Sequence, residues 1–261
     1  MKIHRNSTSL SVLALVGLAV GGVLLGGMPE AAVRDAPSAI ASADDAADLA
    51  AARQQAPSQP NPQREIDGLL ASVTVVDELP DIQGYDRKCG PTDGCTYGTA
   101  WTDDSTAPGS HNGCDTRNDV LGAQLYDIEY KPGTSDCKVL TGTLADPYTG
   151  GLIHFVSGKT TSSAVQIDHV YPLSRSWRAG AASWSIERRT AFANDIDLNL
   201  LAVDGPANNA KSDSGLDAWL PPNQAYHCQY AVRYLTVAAH YQLLVTRGDA
   251  DVARAACGSR Q

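Results

Sequence analysis

Val165-Gln166-Ile167-Asp168-His169-Val170-Tyr171-Pro172-Leu173-Ser174 is the stretch on which the reading of this chain turns. An apolar run leads directly into an ionisable pair and is closed by a proline. A short β-prone segment bounded in this way predicts a strand over 165–167 that delivers Asp168 and His169 at its end. Neighbouring strand residues face opposite sides, but at a strand end or a bulge both can reach one site. Downstream, Asn199-Leu200-Leu201-Ala202-Val203 reads as a second strand. Asp204-Gly205-Pro206 then makes a turn and a helix start, with proline tolerated in the first helical turn. Asn208 and Lys211 stand three residues apart, so on that helix they share a face. The pattern is a β-β-α unit with polar groups converging between its parts.

Those residue types suit the hydrolysis of a phosphodiester. The reaction needs a nucleophilic water, neutralised charge at the phosphate and a stabilised leaving oxygen. A neutral histidine accepts the water's proton near pH 7, which gives His169 the part of general base. A carboxylate and an amide oxygen are hard ligands for Mg2+ or Mn2+, so Asp168 and Asn208 are the expected metal ligands, with Asn209 a rival for Asn208. Lys211 is expected on a non-bridging phosphate oxygen. Arg117 and Arg189 are further candidates for substrate contact, Arg117 having the alternative of pinning Asp115 or Asp119.

Around this unit the patterning is that of an α+β domain. Residues 139–144 and 152–156 read as short strands flanking the turn Asp146-Pro147-Tyr148-Thr149-Gly150. Residues 69–76 are a β-prone run or a short helix, and Ser183 is positioned to cap a helix reaching Ala193. Cys228, Ala231, Val232, Leu235, Ala238, Ala239 and Gln242 form a helical stripe near the C-terminus. Trp177, Trp184 and Trp219 read as core or interface anchors, with stacking on an unpaired base the alternative.

The chain of 261 residues carries 20 Lys+Arg against 29 Asp+Glu, a net charge of -9. That balance argues against a protein that coats nucleic acid or binds an anionic membrane, since both need a cationic footprint. It leaves room for an enzyme that touches a few phosphates.

Lys2, His4 and Arg5 precede an apolar stretch over 10–25, and small residues follow at Ala31 and Ala32. The expectation is a signal peptide over 1–32 and a secreted product, with an uncleaved membrane anchor as the alternative. Residues 33–65, rich in Ala, Asp, Gln, Pro and Ser, read as a disordered linker, and 66–261 as one folded domain. Export makes the six cysteines candidates for pairing. Their proximity in sequence suggests Cys89–Cys95, Cys114–Cys137 and Cys228–Cys257.

Asp168-His169, Asn199, and Asn208 with Lys211 resemble the HNH (His-Me finger) endonuclease motif, with asparagine in place of a final histidine. More closely, the chain is similar to exported bacterial HNH proteins related to the C-terminal domain of the GmrSD restriction enzymes. The segments that carry this likeness are Gly113-Cys114-Asp115-Thr116-Arg117-Asn118-Asp119-Val120-Leu121, Asp146-Pro147-Tyr148-Thr149-Gly150, Asp168-His169-Val170, Arg189 with Phe192-Ala193-Asn194-Asp195, and Asn199-Leu200-Leu201-Ala202-Val203.

The resemblance implies a ββα-metal core with extra helices and disulfide-stapled loops, and metal-dependent cleavage of nucleic acid. In it Asn199 holds the histidine loop rather than touching substrate. DNA is expected ahead of RNA, with little sequence preference, no stable membrane association after signal cleavage, and a monomer. Two features stand apart from the family pattern: Tyr171 replaces a smaller apolar residue, and the segment 171–198 is long and arginine-rich. Two other readings stand beside this one. A zinc hydrolase built on His169 with His154 or His227 lacks any matching ligand spacing. A non-catalytic, disulfide-stapled binding domain on the same scaffold is the remaining alternative.

Overall fold

The antiparallel pair that carries the site is assembled between two hydrophobic clusters, and its composition explains why. In the computed structural model, which describes residues 61–258, strand β5 (Val165–His169) pairs with strand β6 (Leu200–Asp204) in register from Val165↔Asp204 to His169↔Leu200. Side chains alternate across a strand. Val165, Ile167, Leu200 and Ala202 enter one cluster, while Leu201 and Val203 enter the other. With both faces covered, β6 is the unbroken apolar run Leu200-Leu201-Ala202-Val203, all of it buried.

The smaller cluster lies against helix α2 (Thr116–Gln124) and a three-stranded antiparallel sheet of β2 (Tyr126–Tyr130), β3 (Val139–Ala145) and β4 (Leu152–Val156), in the order β2-β3-β4. Asp115 caps α2 by accepting from the Asn118 amide at 3.0 Å. The larger cluster contains helices α1 (Pro62–Ser72), α3 (Leu173–Arg178), α4 (Ile186–Ala193), α6 (His227–Tyr241) and α7 (Arg247–Gly258), with α5 (Gly205–Lys211) directly after β6. A two-residue parallel pair, β1 (Val75–Val76) and β7 (Val245–Thr246), joins the segment after α1 to the segment after α6. The described residues thus form a mixed α/β domain.

Several details differ from the sequence expectation. Helix α1 begins inside the stretch read as linker. Its first turn is polar and so resembles a tail, but Asn61 caps it, Pro62 suits the first helical position, and Ile66 and Leu70 are buried. The expected signal segment and residues 33–60 lie outside the described residues. Helix α4 is capped by Ser185 rather than Ser183. The buried face of α6 is Tyr230, Ala231, Tyr234, Leu235, Val237, Ala238 and Tyr241, while Gln242 is exposed. Tyrosines, amphipathic on any scale, carry the core side of this helix.

All three expected disulfides form: Cys89–Cys95, Cys114–Cys137 and Cys228–Cys257. Tyr171, too large for the expected apolar position, stacks on Tyr234 with centroids 4.6 Å apart and donates its hydroxyl to the Leu244 carbonyl at 2.7 Å.

Candidate active site

The β5–β6 ladder runs without a bulge as far as His169, so Asp168 and His169 leave the strand on opposite faces and meet different partners. Both still border one open cleft of about 650 Å³, together with Tyr85, Arg87, Asn208 and Asp213.

His169 is 8% exposed, and its Nε2 lies 2.9 Å from the Ala193 carbonyl at the end of α4. A carbonyl only accepts, so Nε2 carries the hydrogen and the neutral ring has its lone pair on Nδ1. The ring stacks on Trp101, centroids 5.7 Å apart and planes 16° from parallel. Burial, reinforced by the nearby Arg87 charge and only partly opposed by the Ala193 carbonyl, pushes the imidazolium pKa down to about 4. The ring is therefore neutral at pH 7.

Asn199 is fully buried and works on the segment after the strand. Its Oδ1 accepts from the Tyr171 amide at 2.8 Å, its Nδ2 reaches the Tyr171 carbonyl at 3.4 Å, and its own carbonyl accepts from the Val170 amide at 2.8 Å. The chain leaving His169 is thus tied to the start of β6, a scaffolding geometry.

Lys211 departs from the sequence expectation. It has no exposed surface, and its Nζ donates to Asp168 Oδ1 at 2.7 Å, Asp168 Oδ2 at 2.8 Å and the His169 carbonyl at 2.7 Å. An ammonium has three donors, and all three are spent. The helix period places Lys211 with Asn208, but the start of α5 fits tightly against the turn that precedes β5, where a Cβ on Gly205 would collide with the Ser163 carbonyl. Lys211 thereby points inward as a tie between α5 and β5, away from any phosphate.

Asp168 in turn is held by Lys211 and by the Tyr148 hydroxyl, which donates to Oδ2 at 2.5 Å. Tyr148 comes from the Asp146–Gly150 turn. That turn is built on the Asp146 carboxylate, which accepts from the Thr149 amide at 2.8 Å and the Asp204 amide at 3.0 Å.

The expected Mg2+ or Mn2+ does not fit this donor set as it stands. A cation within bonding reach of Asp168 would meet the Lys211 ammonium, and a carboxylate that already accepts three hydrogen bonds has little capacity left for an ion. Asn208 gives its Nδ2 to Gln166 Oε1 at 2.9 Å, which leaves Oδ1 without a partner among the described residues; Asn209 Oδ1 accepts from the same glutamine at 3.3 Å. Among the described residues no group of three or more His, Cys, Asp or Glu side chains is arranged to hold a metal.

The arginines nominated from sequence are also committed elsewhere. Arg117 donates to the Ser162 carbonyl at 3.2 Å and the Val165 carbonyl at 2.9 Å, pinning the start of β5 rather than Asp115 or Asp119. Arg189 donates to the carbonyls of Thr96 and Trp184. Both bind the frame. His154 is exposed and paired with Thr143, and His227 reaches the Pro221 carbonyl, so neither joins His169.

Residues 115–251 match the family described as GmrSD restriction endonucleases, C-terminal domain. That is just over half of the chain. The protein belongs to the GmrSD C-terminal-domain family. An uncharacterized secreted protein of Arthroderma benhamiae is 37% identical over 137 residues, which are 52% of this chain and 63% of that relative. No solved structure matches. The GmrSD C-terminal-domain segment supplies His169, Asp168, Asn199, Asn208 and Lys211. Arg87 and Trp101, which face His169, precede it. Neither has a spacing signal in the sequence, because they stand in an irregular loop and meet the histidine only through the tertiary fold.

Proposed function

We propose that this chain is an exported endonuclease of the HNH type, hydrolysing phosphodiester bonds in DNA, with RNA the second substrate, at little sequence preference. The observation that carries this reading is the state of His169. The Ala193 carbonyl fixes the proton on Nε2, burial keeps the ring neutral, and Nδ1 is left as an acceptor beside an open polar cleft. Membership of a restriction-endonuclease family supports a nucleic-acid substrate. The β-β-α order of β5, β6 and α5 supports the ββα-metal class, and Asn199 performs the loop-holding part. Export is supported by the apolar N-terminal stretch, by three disulfides, and by a relative described as secreted. No described helix is long and apolar enough to cross a membrane.

In this reading His169 Nδ1 takes a proton from the attacking water, while the Ala193 carbonyl steadies the imidazolium that forms. Trp101 and burial exclude competing water from the ring. Asp168, neutralised by Lys211, fixes the end of β5 and is not asked to bind an ion.

The test is digestion of plasmid DNA and of RNA by the oxidised protein in Mg2+, Mn2+ or EDTA, beside His169→Ala. Cleavage abolished by the substitution supports the assignment, and the EDTA arm decides the ion requirement directly. A folded, oxidised protein that cleaves nothing would replace this reading with the non-catalytic binding domain, a role with which the Lys211-paired Asp168 is also compatible.

A further inference from the structure

A phosphodiester needs a cation in the cleft, and the structure removes the obvious ones in turn. Lys211 is buried with its donors spent. Arg117, Arg188, Arg189 and Arg233 are bound to backbone carbonyls, and Arg175 is buried on Asp249. Arg87 is different. It borders both the open cleft and the narrow slot between Trp101 and His169, it is exposed, and it makes no side-chain hydrogen bond or ion pair among the described residues.

The backbone on either side of Arg87 is, by contrast, firmly held. Asp86 Oδ1 accepts from the Lys88 amide at 3.1 Å and Oδ2 from the Gly94 amide at 2.8 Å. The Asp86 carbonyl accepts from the Thr96 amide at 2.8 Å, and the Lys88 carbonyl from the Cys95 amide at 2.8 Å. The Cys89–Cys95 bridge closes the same loop. The fixed loop removes the backbone share of the ordering cost of binding, leaving only the rotamers of the side chain to be ordered, and guanidinium matches phosphate geometry with paired donors.

We propose that Arg87 is the phosphate-binding residue of the cleft, presented beside His169 by the Cys89–Cys95 loop. The inference rests on the phosphodiesterase reading and deepens it, since it assigns the substrate contact to a loop outside the family-matched segment. Asp213, whose Oδ2 accepts from Ser174 at 2.9 Å, borders the same cleft as a negative charge that a phosphate would avoid.

The experiment is equilibrium binding of a fluorescein-labelled 20-base-pair DNA to the full oxidised chain carrying His169→Ala, with and without Arg87→Gln or Arg87→Lys, over a salt series. Steady-state cleavage is then measured on the parent background. Arg87→Gln should weaken binding about tenfold and flatten the slope of log affinity against log salt by about 0.9, the value for one lost phosphate contact. Arg87→Lys should retain most of that slope. In turnover, Arg87→Gln should raise KM by a larger factor than it lowers kcat. Thermal unfolding should be unchanged because the side chain is exposed and unpaired.

Unchanged affinity and salt slope in Arg87→Gln, with the parent still cleaving, would overturn this inference and leave the nuclease reading in place. A parent protein that neither binds nor cleaves DNA or RNA would overturn both.

Discussion

Replacing Lys211 by methionine separates the structural account of this residue from the one its sequence position suggests. The ammonium is the principal partner of Asp168, whose carboxylate is 4% exposed. Methionine fills a similar volume but leaves that carboxylate in the core with only the Tyr148 hydroxyl. Removing one member of a buried ion pair costs about 3–5 kcal/mol, because the surviving charge stays desolvated. For a domain of roughly 200 residues, at about 2–4 °C per kcal/mol, that lowers Tm by about 6–20 °C.

The double variant Asp168→Asn with Lys211→Met should recover most of the loss, since no unpaired charge remains. The assay is urea unfolding followed by circular dichroism at pH 7, with all three disulfides intact and the slope against denaturant checked for constancy. A Lys211→Met protein within about 0.5 kcal/mol of the parent, as for an ordinary surface substitution, would refute the reasoning. It would mean that the side chain faces solvent and is free to meet a phosphate.

Three further outcomes follow from the same geometry. Burial and Arg87 hold His169 at about 4 against an ordinary value near 6.5, so between these limits the unfolded chain binds a proton that the folded chain refuses. Stability should be full above about pH 6.5 and should fall by about 3 kcal/mol as pH drops to about 4; a His169→Gln protein with the same pH–stability curve would contradict this. Asn199→Ala strands the buried Tyr171 amide and should cost about 1–3 kcal/mol. Cleavage should fall with it even at temperatures where circular dichroism reports a folded protein. Arg117→Ala should lower urea stability by about 1–3 kcal/mol through the orphaned carbonyls of Ser162 and Val165, with DNA affinity and salt slope unchanged. A selective loss of affinity would restore Arg117 to the substrate.

The parts of this molecule that sequence reveals are those in which chemistry is local. The β-β-α order around Asp168-His169 could be read because strand, proline and turn signals lie next to one another. The three disulfides followed from short separations between neighbouring cysteines. Asn199 could be singled out from the family motif, but its hydrogen bonds to the 170–171 backbone could not. Burial is a different matter. Whether Lys211 points outward with solvent or inward to Asp168 depends on how closely α5 approaches β5, and the helical period gives only its face. Arg117 and Arg189 look like spare cations until the carbonyls they bind are brought in from distant segments. Arg87 and Trp101 carry no periodic signal, although they are the side chains that bracket His169.

The tyrosines give this domain a property that an aliphatic core of equal size would lack. Tyr148, Tyr171, Tyr234 and Tyr241 are each buried with the hydroxyl on a particular acceptor: Asp168, the Leu244 carbonyl, Asp249 and Asp195. Leucines can slide past one another and repack, whereas a phenol that moves by one helical turn abandons its acceptor at a cost of about 1–3 kcal/mol. The interior is therefore keyed like a tumbler lock, with one alignment of helices satisfying every pin. Burial also raises the pKa of all four phenols and so holds them neutral. In alkali their phenolate absorbance should appear together, in a single step that coincides with the loss of the fold.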